Sequence, residues 1–293
     1  FPLAAYLATH LGFGLSLSAA LPAIIQAHGQ VQIFGWLGLF IMGVSLHFLP
    51  RLSGVPLARH RRLLAVPGWL VASAVALRTV AQPALAPDGR WQPYAMVLSG
   101  ICLAAGVGIY VALIVVIVSR RRDAETHPTI LSLRPWLILA LAGWLGSGGL
   151  LAGGAVAAGM AEDALVDADL QRLGVDLYIG AVLIPVAFVF ARQVLPLYLR
   201  VDMMPPQGLP LMAMAYAVTV VAFVTADLMG HAPALAVARL LQAVLILWVF
   251  SRLRIHRRRD PRGRIRPERD GAARFGKFAP AIYLSFGFLL LAA

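Results

Sequence analysis

Two scarcities limit what this chain can be. Only one of its 293 residues is a cysteine, Cys102, and it lies within an apolar stretch. A single cysteine excludes an internal disulfide and any metal or iron–sulfur site built from several cysteines. Charged residues make up only 13% of the chain, whereas soluble domains carry about 25%. The sequence therefore lacks the charged surface of a soluble globular protein.

Apolar residues dominate instead, at 60% of the chain, with a mean hydropathy of +0.81. Many stretches of roughly eighteen or more residues carry no charge, enough to cross a hydrocarbon core of about 30 Å. They are continuous rather than alternating, which excludes a β-barrel, and backbone groups in lipid must bond within their own segment, which predicts helices. We expect an all-α, polytopic transmembrane bundle in which residues 1–293 form a single integral membrane domain. The nine predicted spans are 3–25, 28–50, 64–82, 93–118, 135–158, 173–198, 209–229, 233–251 and 277–293.

Basic residues are distributed unevenly between the connections. All but four of the 25 lysines and arginines fall on one side of the predicted bundle; the four exceptions are Arg78, Arg90, Arg172 and Arg239. By the positive-inside rule that side is the cytoplasm, and the densest run, 252–277, is a basic cytoplasmic loop. The net charge of +12 thus reflects asymmetry across a membrane. We expect the lipid bilayer, and no nucleic acid, as the partner of this charge.

Histidines are the clearest candidates for a functional site, because ionisable side chains at membrane depth usually mark one. If the chain turns near Gln26–Ala27, His10 and His47 lie at similar depth toward the cytoplasmic face and could bind one metal or one haem. His28 and His231 lie near span ends on the opposite side and could form a second axial pair. Each histidine has the ordinary alternative of a solvated or hydrogen-bonded side chain.

Arg239 is a charged residue within a predicted span, and a positive charge there could serve a haem site. Arg239, or the periplasmic Arg90 or Arg172, could bind a haem propionate. Arg239 could instead form an ion pair with Asp227 or Asp176 on the same predicted side. An unpaired charge within a membrane is unfavourable, which favours the ion pair.

One segment carries a specific resemblance. Residues 28–54 read HGQVQIFGWLGLFIMGVSLHFLPRLSG. This segment resembles the signature helix of the NnrS family, bacterial membrane proteins linked to the nitric-oxide response, with the pattern H-x-H-E-M-x-F-G-F and then a glycine, a proline and a further glycine. The positions in register are His28, Phe34, Gly35, Trp36, Gly43, Pro50 and Gly54. A weaker match aligns Gly180, Arg192 and Arg200 with a second family stretch.

The same helix is similar to the second helix of haem–copper oxidase catalytic subunits, in which the corresponding histidine is an axial haem ligand. The chain contains no His-His pair, which excludes an oxygen-reducing centre of the oxidase kind. The NnrS resemblance implies haem b and copper as cofactors. Three family histidines are replaced here, by Gln30, Val175 and Leu197, and this bears on copper more than on haem.

Three functions follow from these residues. The first is a haem-binding protein of NnrS type in a bacterial inner membrane, which binds a diatomic gas or exchanges electrons with a membrane or periplasmic redox partner. The second is a cofactor-free transporter that uses Asp176, Asp227, Arg192 and Arg239. The third is a structural subunit of a respiratory complex that holds its partner by the glycine-rich fifth span. No catalytic residue is assigned, and the chain is expected to be part of a longer protein, since it begins at Phe1 and ends in an apolar run.

Overall fold

The computed structural model describes residues 20–52, 61–83, 91–119, 128–199 and 204–253, together with residues 5, 8, 9, 12 and 13. Within that part of the chain every regular element is a helix, as predicted. In chain order the elements are α1 (Leu21–Gln30), the π-helix π1 (Val31–Gly38), α2 (Leu39–Leu52), α3 (Arg61–Ala81), α4 (Gln92–Ser119), α5 (Pro128–Met160), α6 (Ala168–Leu177), the π-helix π2 (Tyr178–Leu183), α7 (Ile184–Leu199), α8 (Leu209–Leu228) and α9 (Ala232–Ser251).

Seven helical stretches are long and apolar enough to cross a membrane. They are Leu21–Pro50, Arg62–Ala81, Gln92–Ser119, Ser132–Met160, Ala168–Gln193, Leu209–Leu228 and Ala232–Ser251. These correspond to the second to eighth predicted spans, which confirms a multi-pass helical membrane protein. The first predicted span lies largely outside the described residues. The ninth span and nearly all of the basic segment 252–277 lie outside them too, so the count of nine stays a prediction.

The predicted turn near Gln26–Ala27 is wrong. The chain is already helical at Leu21, with Pro22 in the first turn, and it continues through π1 into α2 without a break. Proline suits a first helical turn because its missing N–H would be unpaired there anyway. Nothing after it stops the helix, since the isolated Gly29 only weakens helix propensity. The depth argument that placed His10 beside His47 depended on this turn and loses its basis.

The chain divides into two compact units, Phe1–Glu125 with Leu141–Tyr178, and Thr126–Ala140 with Ile179–Ala293. In the first unit neighbouring helices run antiparallel and approach closely at glycines. A Cβ on Gly100 of α4 would lie 2.5 Å from the carbonyl oxygen of Ala152 on α5, and one on Gly106 would lie 3.1 Å from that of Pro67 on α3. Small residues permit this approach of helix backbones in a membrane.

The glycine-rich fifth span is a packing helix on one side only. Cβ atoms on Gly146 and Gly154 would lie 2.7 Å from Leu177 and 2.6 Å from Val166, whereas Gly149 and Gly153 have nothing within 4 Å. Some of the glycines that make this helix a candidate for binding a partner protein thus already pack against other residues of the first unit.

The second unit is built around aromatic side chains. Trp136 packs on Phe188 and Tyr216 at ring-centroid distances of 4.7 and 5.8 Å, and Phe188 packs on Phe250 at 5.9 Å. The Trp136 indole N–H also donates to the carbonyl oxygen of Leu209, at 3.2 Å. These contacts join the start of α5 to α7, α8 and α9.

Candidate functional site

His28 lies within α1, two residues from Gln26 and from Gln30, and is half-buried. At 3.6 residues per turn, positions two apart differ by about 200°, so His28 projects from the side of α1 opposite those glutamines. Within the part of the chain that the structure describes, its imidazole makes no hydrogen bond. A Cβ on the adjacent Gly29 would meet nothing within 4 Å. Among the described residues, nothing therefore bonds to this imidazole or fills the space beside Gly29.

His231 has a structural role that only the geometry reveals. It is the N-cap of α9, where its Nδ1 accepts a hydrogen bond from the backbone N–H of Ala234 at 3.2 Å. A neutral imidazole that accepts at Nδ1 carries its proton on Nε2, so Nε2 acts as a donor, and the cap would have to be lost before Nε2 could bind a metal. This is the ordinary hydrogen-bonded role that the sequence left open. His231 belongs to the second unit and His28 to the first, so their pairing stays a prediction.

His47 is exposed on α2, with its ring against that of the adjacent Phe48 at a centroid distance of 5.1 Å. It follows His28 by nineteen residues along one continuous helix, roughly 28 Å at a rise of 1.5 Å per residue. His28 and His47 therefore cannot ligate the same metal or haem. His10 lies outside the described residues, so the His10–His47 pair is untested.

Arg239 is exposed on α9, and its guanidinium carbon lies 4.4 Å from the centroid of the buried Phe223 ring. This is a cation–π contact between α9 and α8. The ion pair of Arg239 with Asp227 or Asp176 and its role as a propionate partner both stay predictions. The described residues contain no group of three or more His, Cys, Asp or Glu side chains arranged to hold a metal ion. The expectation of copper thus depends on the resemblance alone.

The most developed polar site was not predicted from the sequence. It is an arginine–glutamine cluster at one end of the first unit, formed by Gln26, Gln30, Arg78, Gln82 and Gln171. The Arg78 guanidinium donates to the side-chain carbonyl oxygens of Gln82 at 2.8 Å, Gln171 at 2.9 Å, and Gln30. Arg78 and Gln82 are 0% exposed and Gln30 is 1% exposed. Three helices contribute: α1, α3 together with the residue that follows it, and α6.

Gln26 connects this cluster to the segment between α5 and α6. Its side-chain carbonyl oxygen accepts from the Gln82 amide at 2.7 Å and from the backbone N–H of Val166 at 3.0 Å, and its own amide donates to the Val166 carbonyl oxygen at 2.7 Å. The Gln26 side chain thus forms hydrogen bonds with both the N–H and the carbonyl group of Val166. Arg78 is three residues from the end of α3, about 4.5 Å along the helix axis.

Two features of the cluster are unusual for a buried site. Arg78 has no carboxylate partner among the described residues, since its hydrogen bonds go to neutral amides. The side-chain amide nitrogen of Gln30 is buried and has no hydrogen-bond partner among the described residues. Buried polar groups are normally paired, and buried charges are normally neutralised. Within the described part of the chain the site therefore has surplus donors and a positive charge without a carboxylate partner.

A second buried group of the first unit lies beside π1. Phe34 of π1 packs on Trp144 and Tyr178 at ring-centroid distances of 5.8 and 5.2 Å, and Trp144 packs on Tyr110 at 5.1 Å. The Tyr110 hydroxyl bonds with that of Ser45 at 2.8 Å, whereas the buried Tyr178 hydroxyl has no partner in the described part of the chain. A π-helical turn often marks a functional site, but this group offers only neutral hydroxyl chemistry.

Arg192, one of the residues predicted for a transporter, is buried in the second unit at 1% exposure. Its Nη2 donates to the carbonyl oxygen of Met204 at 3.0 Å, and its Nε and Nη1 have no partner in the described chain.

The sequence does not predict this cluster, because a single glutamine near the end of a span does not indicate a buried polar site. The available signal was a set of glutamines inside or next to apolar spans, Gln26, Gln30, Gln82 and Gln171, all at span ends predicted on the side opposite the basic loops. With Arg78 they mark a buried polar site.

No protein-family model, no curated protein and no solved structure matches the chain.

Proposed function

We propose that this multi-pass membrane protein binds haem b through His28 and uses it to bind a diatomic gas such as nitric oxide or to carry an electron. The observation that supports this proposal is the state of His28: a half-buried imidazole on a membrane-spanning helix, without a hydrogen bond among the described residues. Neutral imidazole is a good axial ligand for haem iron. The proposal also draws on the likeness of residues 28–54 to the NnrS signature helix.

The surroundings of His28 suit a planar apolar group. Among the described residues, a Cβ on the neighbouring Gly29 would meet nothing within 4 Å, which leaves room beside His28. In this proposal His28 is the leading ligand, while His231, His10 and His47 are candidates for a second site or a second ligand. Arg239 would bind a propionate, and copper would be a further cofactor. The bacterial inner membrane and a membrane or periplasmic redox partner belong to the same proposal.

The visible spectrum of detergent-purified protein, oxidised and dithionite-reduced, tests haem ligation. Cells are grown with a haem precursor, and haem is quantified per chain by pyridine haemochrome. We expect a Soret band with sharp α and β bands in the wild type, their loss in His28→Ala, and partial recovery of that variant with free imidazole. Imidazole rescue distinguishes a lost ligand from a lost fold.

His127→Ala is the matched control, because His127 lies in a basic connection and is not a predicted ligand. It should keep the full spectrum. A colourless wild type that is monodisperse and helical by circular dichroism would end the proposal. Colour retained in His28→Ala but lost in His47→Ala would move the site to the other end of this helix.

Carbon monoxide distinguishes gas binding from electron transfer. Five-coordinate ferrous haem has an open position, so its Soret band should shift at once on carbon monoxide addition. Bis-histidine haem should resist, and His231→Ala should then make it sensitive. A response in His231→Ala but not in the wild type would identify His231 as the second ligand.

A cofactor-free transporter is the second candidate, favoured by the buried Arg192 with its unpaired Nε and Nη1. Buried cationic side chains within spans commonly mark substrate or ion paths. A colourless protein that takes up a substrate anion when reconstituted in vesicles, with uptake lost in Arg192→Gln, would support this function over the first.

A further inference from the structure

We propose that the arginine–glutamine cluster is a binding site for one small monovalent anion, of the size of chloride, held beside the Arg78 guanidinium. The cluster comprises Gln26, Gln30, Arg78, Gln82 and Gln171, as defined above. This site is separate from the proposed haem site, because His28 projects from the opposite side of α1.

Charge gives the first argument. The guanidinium of Arg78 is fully buried, and its three hydrogen bonds end on neutral amide oxygens. Arginine keeps its proton in proteins, and a buried charge needs a partner of opposite sign to be tolerated. A single positive charge calls for a single negative one.

Unused donors give the second argument. Three N–H groups of the guanidinium donate to glutamine oxygens, and its remaining N–H groups have no partner among the described residues. The Gln30 amide nitrogen, whose own carbonyl oxygen already accepts from Arg78, is buried and likewise has no partner in the part of the chain that the structure describes. N–H donors without partners call for a hydrogen-bond acceptor, and the adjacent positive charge of Arg78 favours an acceptor that is negatively charged.

Nearby carboxylates do not satisfy Arg78. In the segment that follows α5, Asp163 accepts from the backbone N–H of Leu165, Asp167 caps α6, and Asp169 pairs with Arg172 at 3.1 Å. All three are exposed. None of the described carboxylates at this end of the unit bonds to Arg78, so in this proposal the counter-ion comes from solution. The complete burial of Arg78 and Gln82 limits it to a small ion.

Thermal unfolding of the purified protein tests this site, with chloride replacing gluconate at constant ionic strength. A ligand that binds only the folded state raises the melting temperature in a saturable way, by roughly 5 °C at a hundredfold excess over Kd. We expect this rise in the wild type and its loss in Arg78→Gln, which keeps an amide in the cluster but removes the charge. Arg172→Gln, an exposed arginine next to Gln171, should keep the full response.

A direct measurement of chloride binding keeps the test valid if the Arg78→Gln variant does not fold. The chloride-35 NMR linewidth should broaden with wild-type protein and narrow again when nitrate competes. Gln30→Met keeps the charge but removes the unpaired donor, and it should weaken chloride binding by about tenfold. Sulfate, which is larger and doubly charged, should not compete.

Three results would overturn the proposal. The first is a wild type whose melting temperature and chloride linewidth are both indifferent to chloride. The second is an equal loss of response in Arg172→Gln. The third is a response that appears only in Asp88→Asn, because the carboxylate of Asp88, which lies outside the described residues, would then be the counter-ion.

The same measurements separate this site from the haem proposal. The chloride response should be equal in haem-free and haem-loaded protein. Its disappearance on haem loading would overturn the anion site, since a propionate would then occupy it. If the protein is colourless but responds to chloride, only the anion-site proposal stands. If the protein is coloured but does not respond to chloride, only the haem proposal stands.

Discussion

Gln26 joins helix α1 to the segment between α5 and α6 through three hydrogen bonds. Replacement by leucine preserves the volume of the side chain but leaves the buried backbone of Val166 without its partners. Because an unpaired buried polar group costs about 1–3 kcal/mol, we expect Gln26→Leu to lower the free energy of unfolding by roughly 2 kcal/mol. Thermal denaturation in detergent, followed by circular dichroism, measures it.

Gln32→Leu is the matched control for this substitution. Gln32 lies on the same continuous helix, is exposed, and carries the same change of side chain. It should leave the melting temperature unchanged. An equal loss in both variants would show that Gln26 acts through helix propensity rather than through Val166.

At this scale the sequence predicts which residues are chemically unusual but not which of them meet. Arg78 and His28 are conspicuous because charged or basic side chains are rare in apolar spans. The bond between Gln26 and Val166 joins positions 140 residues apart, and no local pattern encodes such a pair. His231 shows the converse, since its position before an apolar span with Pro233 is equally consistent with a ligand and with the helix cap that it proves to be.

Helix α4 packs against its neighbours through glycine, and one position is tightest. A Cβ on Gly100 would lie 2.5 Å from a backbone oxygen of α5, and backbone cannot yield as a flexible side chain does. Overpacking of this kind costs about 1–3 kcal/mol, so Gly100→Ala should lower the melting temperature. Gly108→Ala is the control on the same helix, because nothing lies within 4 Å of its position. If both variants melt alike, close approach of α4 and α5 does not stabilise the first unit.

Helices were predictable from the sequence because hydropathy measures what a bilayer requires, uninterrupted apolar length. Hydropathy fails near Gln26–Ala27, where the polar Gln26 and Gln30 together with Gly29 resemble a connection between two spans. Those glutamines bond inward to Arg78, Gln82 and Val166, so their polarity is satisfied within the fold and the helix continues. Polar residues within an apolar stretch therefore do not by themselves indicate a turn, because their side chains can form hydrogen bonds inside the helix bundle.

At the scale of the whole molecule, two units share the length of α5 and the helix that runs from α6 through π2 to α7. Each unit has its own buried polar arginine, Arg78 in the first and Arg192 in the second. The charge distribution is a property of the whole chain. The basic connections alternate with the acidic ones along the seven spans, and this alternation sets the expected orientation.

Orientation has a direct test, because three candidate spans separate Ala161 from Ser251. An odd number of crossings puts these two exposed positions on opposite sides of the membrane, whatever lies beyond the described residues. In a Cys102→Ser background, a membrane-impermeant maleimide applied to intact cells should label Ala161→Cys and spare Ser251→Cys until the membrane is permeabilised. The charge bias predicts this sense, since the basic residues follow Ser251. Labelling of Ser251→Cys alone would reverse the orientation and reject the positive-inside prediction, whereas labelling of both would reject three crossings between them.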